Sequence, residues 1–198
     1  MNSLERIKME LKDLQNNPVM NIGWLVGLPN PNNIYEWRCS MLGPDDTPYS
    51  GGLFYLKIIF PKDYPNSKPE ICFITPIYHV NVLPYADSLG RVCISTLNWW
   101  TPQYTIRKVL IDIWALLYTG NNCCNYLCNE EYQNNRMLYK AKCKYYTNKY
   151  ARIGAGYKEY KKTDWNFDDP VTIWVKKNNK IKKYNINIFL IILIYDKL

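Results

Sequence analysis

Ile34-Tyr35-Glu36-Trp37-Arg38-Cys39-Ser40-Met41-Leu42, followed past Gly43-Pro44-Asp45-Asp46 and Gly51-Gly52 by Leu53-Phe54-Tyr55-Leu56-Lys57-Ile58-Ile59-Phe60, is the stretch that decides the fold. In the first run Tyr35, Trp37, Cys39 and Met41 alternate with Glu36, Arg38 and Ser40, and the second run puts Phe54, Leu56, Ile58 and Phe60 on one face. Successive side chains of a strand point to opposite faces, so this period of two predicts two half-buried strands. The turn-rich segment between them, opened by Gly43-Pro44 and closed by Gly51-Gly52, makes them neighbours in an antiparallel sheet. Glu70 to Thr75 is a further short strand, and we read the whole as a four-stranded antiparallel meander.

Upstream and downstream the period changes. From Ser3 to Gln15, Leu4, Ile7, Leu11 and Leu14 fall on one helical face, with Ser3 or Asn2 able to cap it and Pro18 to end it. A second helix begins after Thr105, carries Ile106, Val109, Leu110, Ile113 and Leu117 on one stripe, and stops at Gly120. Glu130 to Tyr150 reads as one further helix or a broken pair, packing through Met137, Leu138, Ala141 and Tyr145. Between Pro76 and Gln103 neither period is sustained, although the stretch is much longer than an ordinary connection, which marks an ordered, functional loop. Helices segregated from an antiparallel sheet make an α+β fold.

The chain's 198 residues, 47% hydrophobic and 15% aromatic, exclude both a mini-protein and a disordered chain. Its 22 asparagines, alongside frequent Lys, Ile and Tyr, suggest an AT-rich coding sequence. The net charge of +8 is concentrated in residues 152–198, which carry +5 of it. No zinc-finger or RNP-like motif accompanies that charge, so nucleic-acid binding is not expected as the main activity. The seven cysteines lack framework spacing, no apolar signal segment opens the chain, and a reducing compartment with unmetallated thiols is expected. Cys123, Cys124 and Cys128 contain no C-x-x-C pair and His79 is the only histidine, so no metal is expected. In the tail, Gly154-Ala155-Gly156 and Asp168-Asp169-Pro170 read as linker and turn, and Lys176 to Lys180 as solvated. Ile186 to Tyr195 is apolar except for Asn187; as a helix it would be roughly 15 Å long, too short to span a bilayer alone. A docked strand or helix, or a wrongly predicted gene end, is favoured over a peripheral membrane contact.

The long loop runs Pro76-Ile77-Tyr78-His79-Val80-Asn81-Val82 through Arg91 to Val92-Cys93-Ile94-Ser95-Thr96-Leu97, then Asn98-Trp99-Trp100-Thr101-Pro102. With L-x-R-I-x-x-E-L-x-D-L at Leu4 to Leu14, G-P-x-x-x-x-Y-x-G-G at Gly43 to Gly52 and F-P-x-D-Y-P at Phe60 to Pro65, it resembles the ubiquitin-conjugating enzyme family. In that family an H-P-N motif precedes the active cysteine, and a Trp-x-Pro and a long helix follow. The resemblance covers about residues 3–151, so we divide the chain into a conjugating domain at 1–151 and a basic extension at 152–198. It implies Cys93 as nucleophile, Asn81 as oxyanion donor or loop support, and His79 as a structural member of the active-site loop. It also implies Arg6, Pro65, Asn66, Trp100 and Pro102 as partner contacts. The implied partners are ubiquitin or a ubiquitin-like modifier, an activating enzyme, a ubiquitin ligase and substrate lysines. No cofactor is bound, ATP being used by the upstream activating enzyme, and the location implied is the cytoplasm, with the nucleus second. The stretch Gln133-Asn134-Asn135-Arg136 before Leu138-Tyr139 looks like the branch that handles Nedd8.

The chemistry agrees with that implication, because a thiolate is a strong nucleophile near neutral pH and its thioester stays reactive toward amines. Cys39 and Cys72, in strands, read instead as small buried hydrophobes. Four departures from the family stand out. Val80 replaces proline; His79 and Cys93 are 14 positions apart, with Leu83 to Asp87 as the insertion; Asn121 to Asn125 offers no acid to an incoming lysine; and Asn66 replaces an aromatic. Two rivals are weighed: an inactive scaffold of the same fold, which the presence of Cys93 speaks against, and a cysteine hydrolase pairing Cys93 with His79, the one histidine, which only loop proximity puts near the thiol.

Overall fold

The computed structural model describes residues 2–18, 25–84, 89–120, 125–154, 156–157, 160–161, 164, 171–177 and 180–186. Asn2 opens the first helix, α1 (Ser3–Asn16), by a capping box in which its side chain accepts from the Glu5 N–H and the Glu5 carboxylate takes the Asn2 N–H. Ile7, Leu11 and Leu14 are buried as expected, but Leu4, at the solvated first turn, is 39% exposed.

Six strands follow: β1 (Leu25–Gly27), β2 (Glu36–Leu42), β3 (Leu53–Ile59), β4 (Glu70–Phe73), β5 (Val82–Leu83) and β6 (Arg91–Val92). They form one antiparallel sheet in the order β1-β2-β3-β4-β6-β5. The four-stranded reading is therefore two strands short, and the sequence located only β2, β3 and β4, because β1, β5 and β6 have only two or three residues and cannot display a period. The register Trp37↔Ile58, Cys39↔Leu56 and Met41↔Phe54 puts the alternating apolar sets on one face, and all six side chains are buried. Each such side chain removed from water contributes about 2 kcal/mol. The turn between β2 and β3 closes by Gly43 N–H donating to the Gly52 carbonyl at 2.9 Å. Gly43 is required there, since a Cβ would lie 1.9 Å from the Tyr49 carbonyl oxygen.

The remaining helices are the single turn α2 (Ser95–Asn98), α3 (Ile106–Thr119), α4 (Tyr126–Asn134) and α5 (Arg136–Tyr150). Thr105 caps α3 by accepting from the Lys108 N–H, and Gly120 closes it. The region after Gly120 is a broken pair, interrupted where the Asn135 side chain accepts from the Leu138 N–H. Its packing stripe differs from the expected one. Leu138, Tyr139, Cys143, Tyr146 and Tyr150 are buried, whereas Met137 is 62% exposed and Ala141 and Tyr145 are only partly covered. Tyrosines, amphipathic enough to look like surface residues in sequence, are what this face buries.

Contacts with the domain continue past residue 151: Gly52 bridges to Arg152, the Tyr157 ring meets Tyr55 at 5.3 Å, and the Tyr160 hydroxyl donates to the Tyr150 carbonyl. β7 (Val171–Lys177) and β8 (Lys180–Ile186) form a separate antiparallel hairpin, with Lys177 opposite Lys180. Of the tail readings, Asp168 to Pro170 and the apolar run beyond Ile186 lie outside the described residues. Among the described residues no helix is long and apolar enough to cross a membrane.

One buried carboxylate joins three parts of this fold. Glu10, 4% exposed, accepts from Arg6 Nε at 2.5 Å, from the Tyr64 hydroxyl at 2.7 Å and from the Ile106 N–H at 2.6 Å. It thereby ties α1 to the loop before Pro65 and to the positive end of α3. Glu10→Ala strands all three donors and should lower the unfolding free energy by about 3–5 kcal/mol, with Glu10→Gln costing less. Urea titrations of the three proteins check this; a loss below about 1 kcal/mol for Glu10→Ala would contradict the assigned role.

Candidate active site

Residues 78–82 pass through the interior between the sheet and the helices, and Tyr78, His79, Val80, Asn81 and Val82 are each at most 3% exposed. Buried backbone groups need partners, and here side chains from several elements supply them. The Tyr78 carbonyl accepts from the Tyr49 hydroxyl at 2.9 Å and from the Cys143 thiol at 3.2 Å. The Asn125 side-chain amide donates to the carbonyls of His79 and Val82, at 3.2 and 2.9 Å, and its backbone N–H donates to the Val80 carbonyl at 3.0 Å. The Val80 N–H donates to the Tyr139 hydroxyl at 3.1 Å.

His79 is fully committed within this segment. Its Nδ1 accepts from the Asn81 N–H at 2.9 Å, which leaves the proton on Nε2 to be donated to the Leu116 carbonyl at 3.2 Å. Burial lowers its pKa to about 4, an effect only partly offset by the Leu116 carbonyl. A neutral ring with both nitrogens bonded has no lone pair for a general base, so the expected structural role of His79 fits and a His79–thiol hydrolase pair does not.

Asn81 reaches Cys93 twice. Its carbonyl accepts from the Cys93 N–H at 2.9 Å, and its side-chain amide donates to the Cys93 carbonyl at 3.3 Å. Cys93 follows β6 immediately, at the lip of a cleft that Lys68, Glu70, Arg91, Leu97 and Asn98 also line. The Asn98 amide stands 3.9 Å from Cys93 Sγ. Arg91 and Glu70 form an ion pair across the cleft wall at 3.3 Å. The expectation of thiols throughout holds at Cys39, Cys72, Cys128 and Cys143, which are free and buried, but Cys93 is disulfide-bonded. Burial raises the thiols of Cys39 and Cys143 to about 12 and Cys72 to about 11, which makes them poor nucleophiles. Among the described residues no cluster of His, Cys, Asp or Glu could hold a metal ion.

The other predicted residues gather around the first half of α1. The Trp100 indole donates to the Pro65 carbonyl at 2.8 Å and its ring lies 5.9 Å from Tyr64, so the loops bearing Pro65 and Asn66 and bearing Trp100 and Pro102 are held side by side. Asn66 and Pro102 are exposed. Trp99, not singled out from sequence, is 79% exposed beside them. Arg6 turns inward, to Glu10 and to the Tyr104 carbonyl at 2.9 Å, with 13% of its side chain exposed. Cys123, Cys124 and the neighbouring Asn121 and Asn122, like residues 85–87 of the insertion, lie outside the described residues. Sequence reading missed Tyr49, Asn98, Asn125 and Tyr139. Tyr49 carried a signal, as the tyrosine of the G-P-x-x-x-x-Y-x-G-G motif; the others come from separate helices and a loop crowded with asparagine.

Comparison with known proteins agrees with this geometry. The family model described as ubiquitin-conjugating enzyme matches residues 6–147. A Plasmodium yoelii protein provisionally described as a ubiquitin conjugating enzyme has a crystal structure that superposes with a TM-score of 0.67 at 32% identity, covering 77% of this chain and 97% of that one. The E2 domain of a ubiquitin conjugating enzyme from Toxoplasma gondii superposes with a TM-score of 0.66 at 30% identity, covering 75% and 99%.

The state of His79 makes stability depend on pH. Its pKa is lowered in the folded chain, so the unfolded chain binds the extra proton first and stability falls as pH drops from about 6.5 toward 4. About 2 kcal/mol from this group should be lost between pH 7 and pH 5, and none between pH 7 and 9. His79→Gln, though less stable at neutral pH, should lose that much less over the acid interval in parallel urea titrations. Equal acid slopes would show that His79 is not held neutral.

Proposed function

This chain belongs to the ubiquitin-conjugating enzyme family, and we propose that reduced Cys93 accepts ubiquitin or a ubiquitin-like modifier as a thioester and passes it on. In the first step the Cys93 thiolate attacks the modifier's C-terminal carbonyl carbon. A carbon–sulfur bond forms at Cys93, the one to the activating enzyme's sulfur breaks, and that sulfur leaves as a thiolate. In the second step the neutral amine of a substrate lysine, or a ligase thiolate, attacks the same carbon, Cys93 leaves as a thiolate, and the amine's surplus proton passes to solvent. The reacting form of Cys93 is the reduced one.

The observation that carries this reading is the double attachment of Cys93 to Asn81 at the lip of an open cleft. A thiol fixed by its own backbone presents Sγ to an acyl group in one orientation, and an amide already beside it can donate to the oxyanion as the carbonyl carbon becomes tetrahedral. The Asn98 amide near Sγ is a second donor on the same side. The paired loops of Pro65 and Trp100, with exposed Asn66, Trp99 and Pro102, form the surface we assign to partner enzymes.

With reductant, ATP and a matching activating enzyme and modifier, the full chain should form a thiol-labile adduct on a non-reducing gel. Cys93→Ser should give a thiol-resistant ester or none, and an adduct unchanged in Cys93→Ala would move the site elsewhere. Asn81→Ala should still load, while single-turnover discharge to free lysine falls about 100-fold if the lost donor is worth near 3 kcal/mol. Equal discharge would leave Asn81 as loop support only.

A further inference from the structure

Val80 lies between the two residues that commit the loop to its shape, and it is completely buried. Its N–H donates to the hydroxyl of Tyr139 at 3.1 Å, which arrives from the first turn of α5. That hydroxyl is itself 3.4 Å from the Tyr49 hydroxyl, which donates to the Tyr78 carbonyl. The Tyr49 hydroxyl also lies 3.2 Å from Cys143 Sγ, whose thiol donates to the same Tyr78 carbonyl, so the two phenols and the thiol form one hydrogen-bonded chain that spans His79 from its following amide to its preceding carbonyl. Burial raises both phenols well above the usual tyrosine range, so the chain keeps its protons at any pH at which the protein works.

We propose that Tyr139 is a positioning residue for transfer: by accepting the Val80 N–H it fixes the His79–Val80 peptide, one residue before Asn81, and through Asn81 the backbone and orientation of Cys93. This rests on the reading that Asn81 and Cys93 carry out the transfer. The connection is short and continuous. The Val80 peptide leads directly into Asn81, whose N–H is held by His79 Nδ1, whose carbonyl holds the Cys93 N–H, and whose side chain holds the Cys93 carbonyl. Asn125 fixes the other side of the same segment through the carbonyls of His79, Val80 and Val82. The ring of Tyr139 has a separate packing role, edge-on to Tyr132 at 5.0 Å and tilted against Tyr78 at 5.8 Å. Replacing tyrosine by phenylalanine therefore removes the acceptor and leaves the packing.

Tyr139→Phe should fold and load a thioester as the parent does, while discharge to free lysine falls about tenfold, because a small misplacement of a reacting group costs rate before it costs structure. In hydrogen exchange read by NMR, the Val80 amide should exchange at least tenfold faster than in the parent, with core amides of β3 unchanged. Tyr132→Phe removes the hydroxyl of an equally buried tyrosine, one that bonds the carbonyls of Thr119 and Gly120 instead, and should leave both readouts unchanged. Val80→Pro deletes the donor, so in that background Tyr139→Phe should change discharge less than twofold. Unchanged discharge and unchanged Val80 protection in Tyr139→Phe would overturn the inference, as would an equal effect of Tyr132→Phe. If Val80→Pro does not fold, exchange at Val80 decides. If the reduced parent forms no thioester with any modifier pair, the functional reading fails, and Val80 exchange still decides whether Tyr139 holds the loop.

Discussion

Residues 78–82 carry their backbone through the interior without forming a helix or a long strand, and every polar group on that backbone must still find a partner. Tyr49, Cys143, Asn125, Tyr139 and His79 supply those partners from the turn before β3, from α5, from the start of α4 and from the segment itself. A buried amide or carbonyl left open costs about 1–3 kcal/mol, so these side chains define one conformation of the segment and penalise the alternatives. The position of Asn81, and with it that of Cys93, follows from that requirement.

The same constraint explains the use of polar residues in the core. Cys143 serves as a thiol donor to a carbonyl, with burial holding its proton in place. Lys142, almost fully buried, is neutralised by Glu131, which also accepts from the Tyr78 hydroxyl at 2.8 Å. This α4–α5 ion pair therefore reaches the residue that begins the loop. Elsewhere in the domain the Glu10 carboxylate plays a comparable part, gathering α1, the loop before Pro65 and the start of α3, while the Trp100 indole closes that group through the Pro65 carbonyl. The surface assigned to partners thus stands on a buried charge with three donors.

Cys93 differs from the other described cysteines in both setting and state. Four thiols are buried and held protonated by desolvation, whereas Cys93 lines an open cleft and is disulfide-bonded.

The α+β class, the long strands β2 and β3, and the helices α1 and α3 with their caps were legible in the sequence, as was the grouping of His79, Asn81 and Cys93 in one loop. Period two, period 3.6, capping residues and ordered motifs are local signals carried by adjacent positions. Three strands were not legible, because two or three residues cannot display a period. The α5 stripe was misread because its buried residues are tyrosines, whose hydroxyls suit surface and interior alike. Val80 could be read in sequence as a residue standing where the family has proline, but not what an extra N–H at that place requires. Only the tertiary structure decided that, by bringing Tyr139 from 59 positions downstream to accept it, since hydrogen-bond partners across such a separation are set by packing and leave no local pattern in the chain.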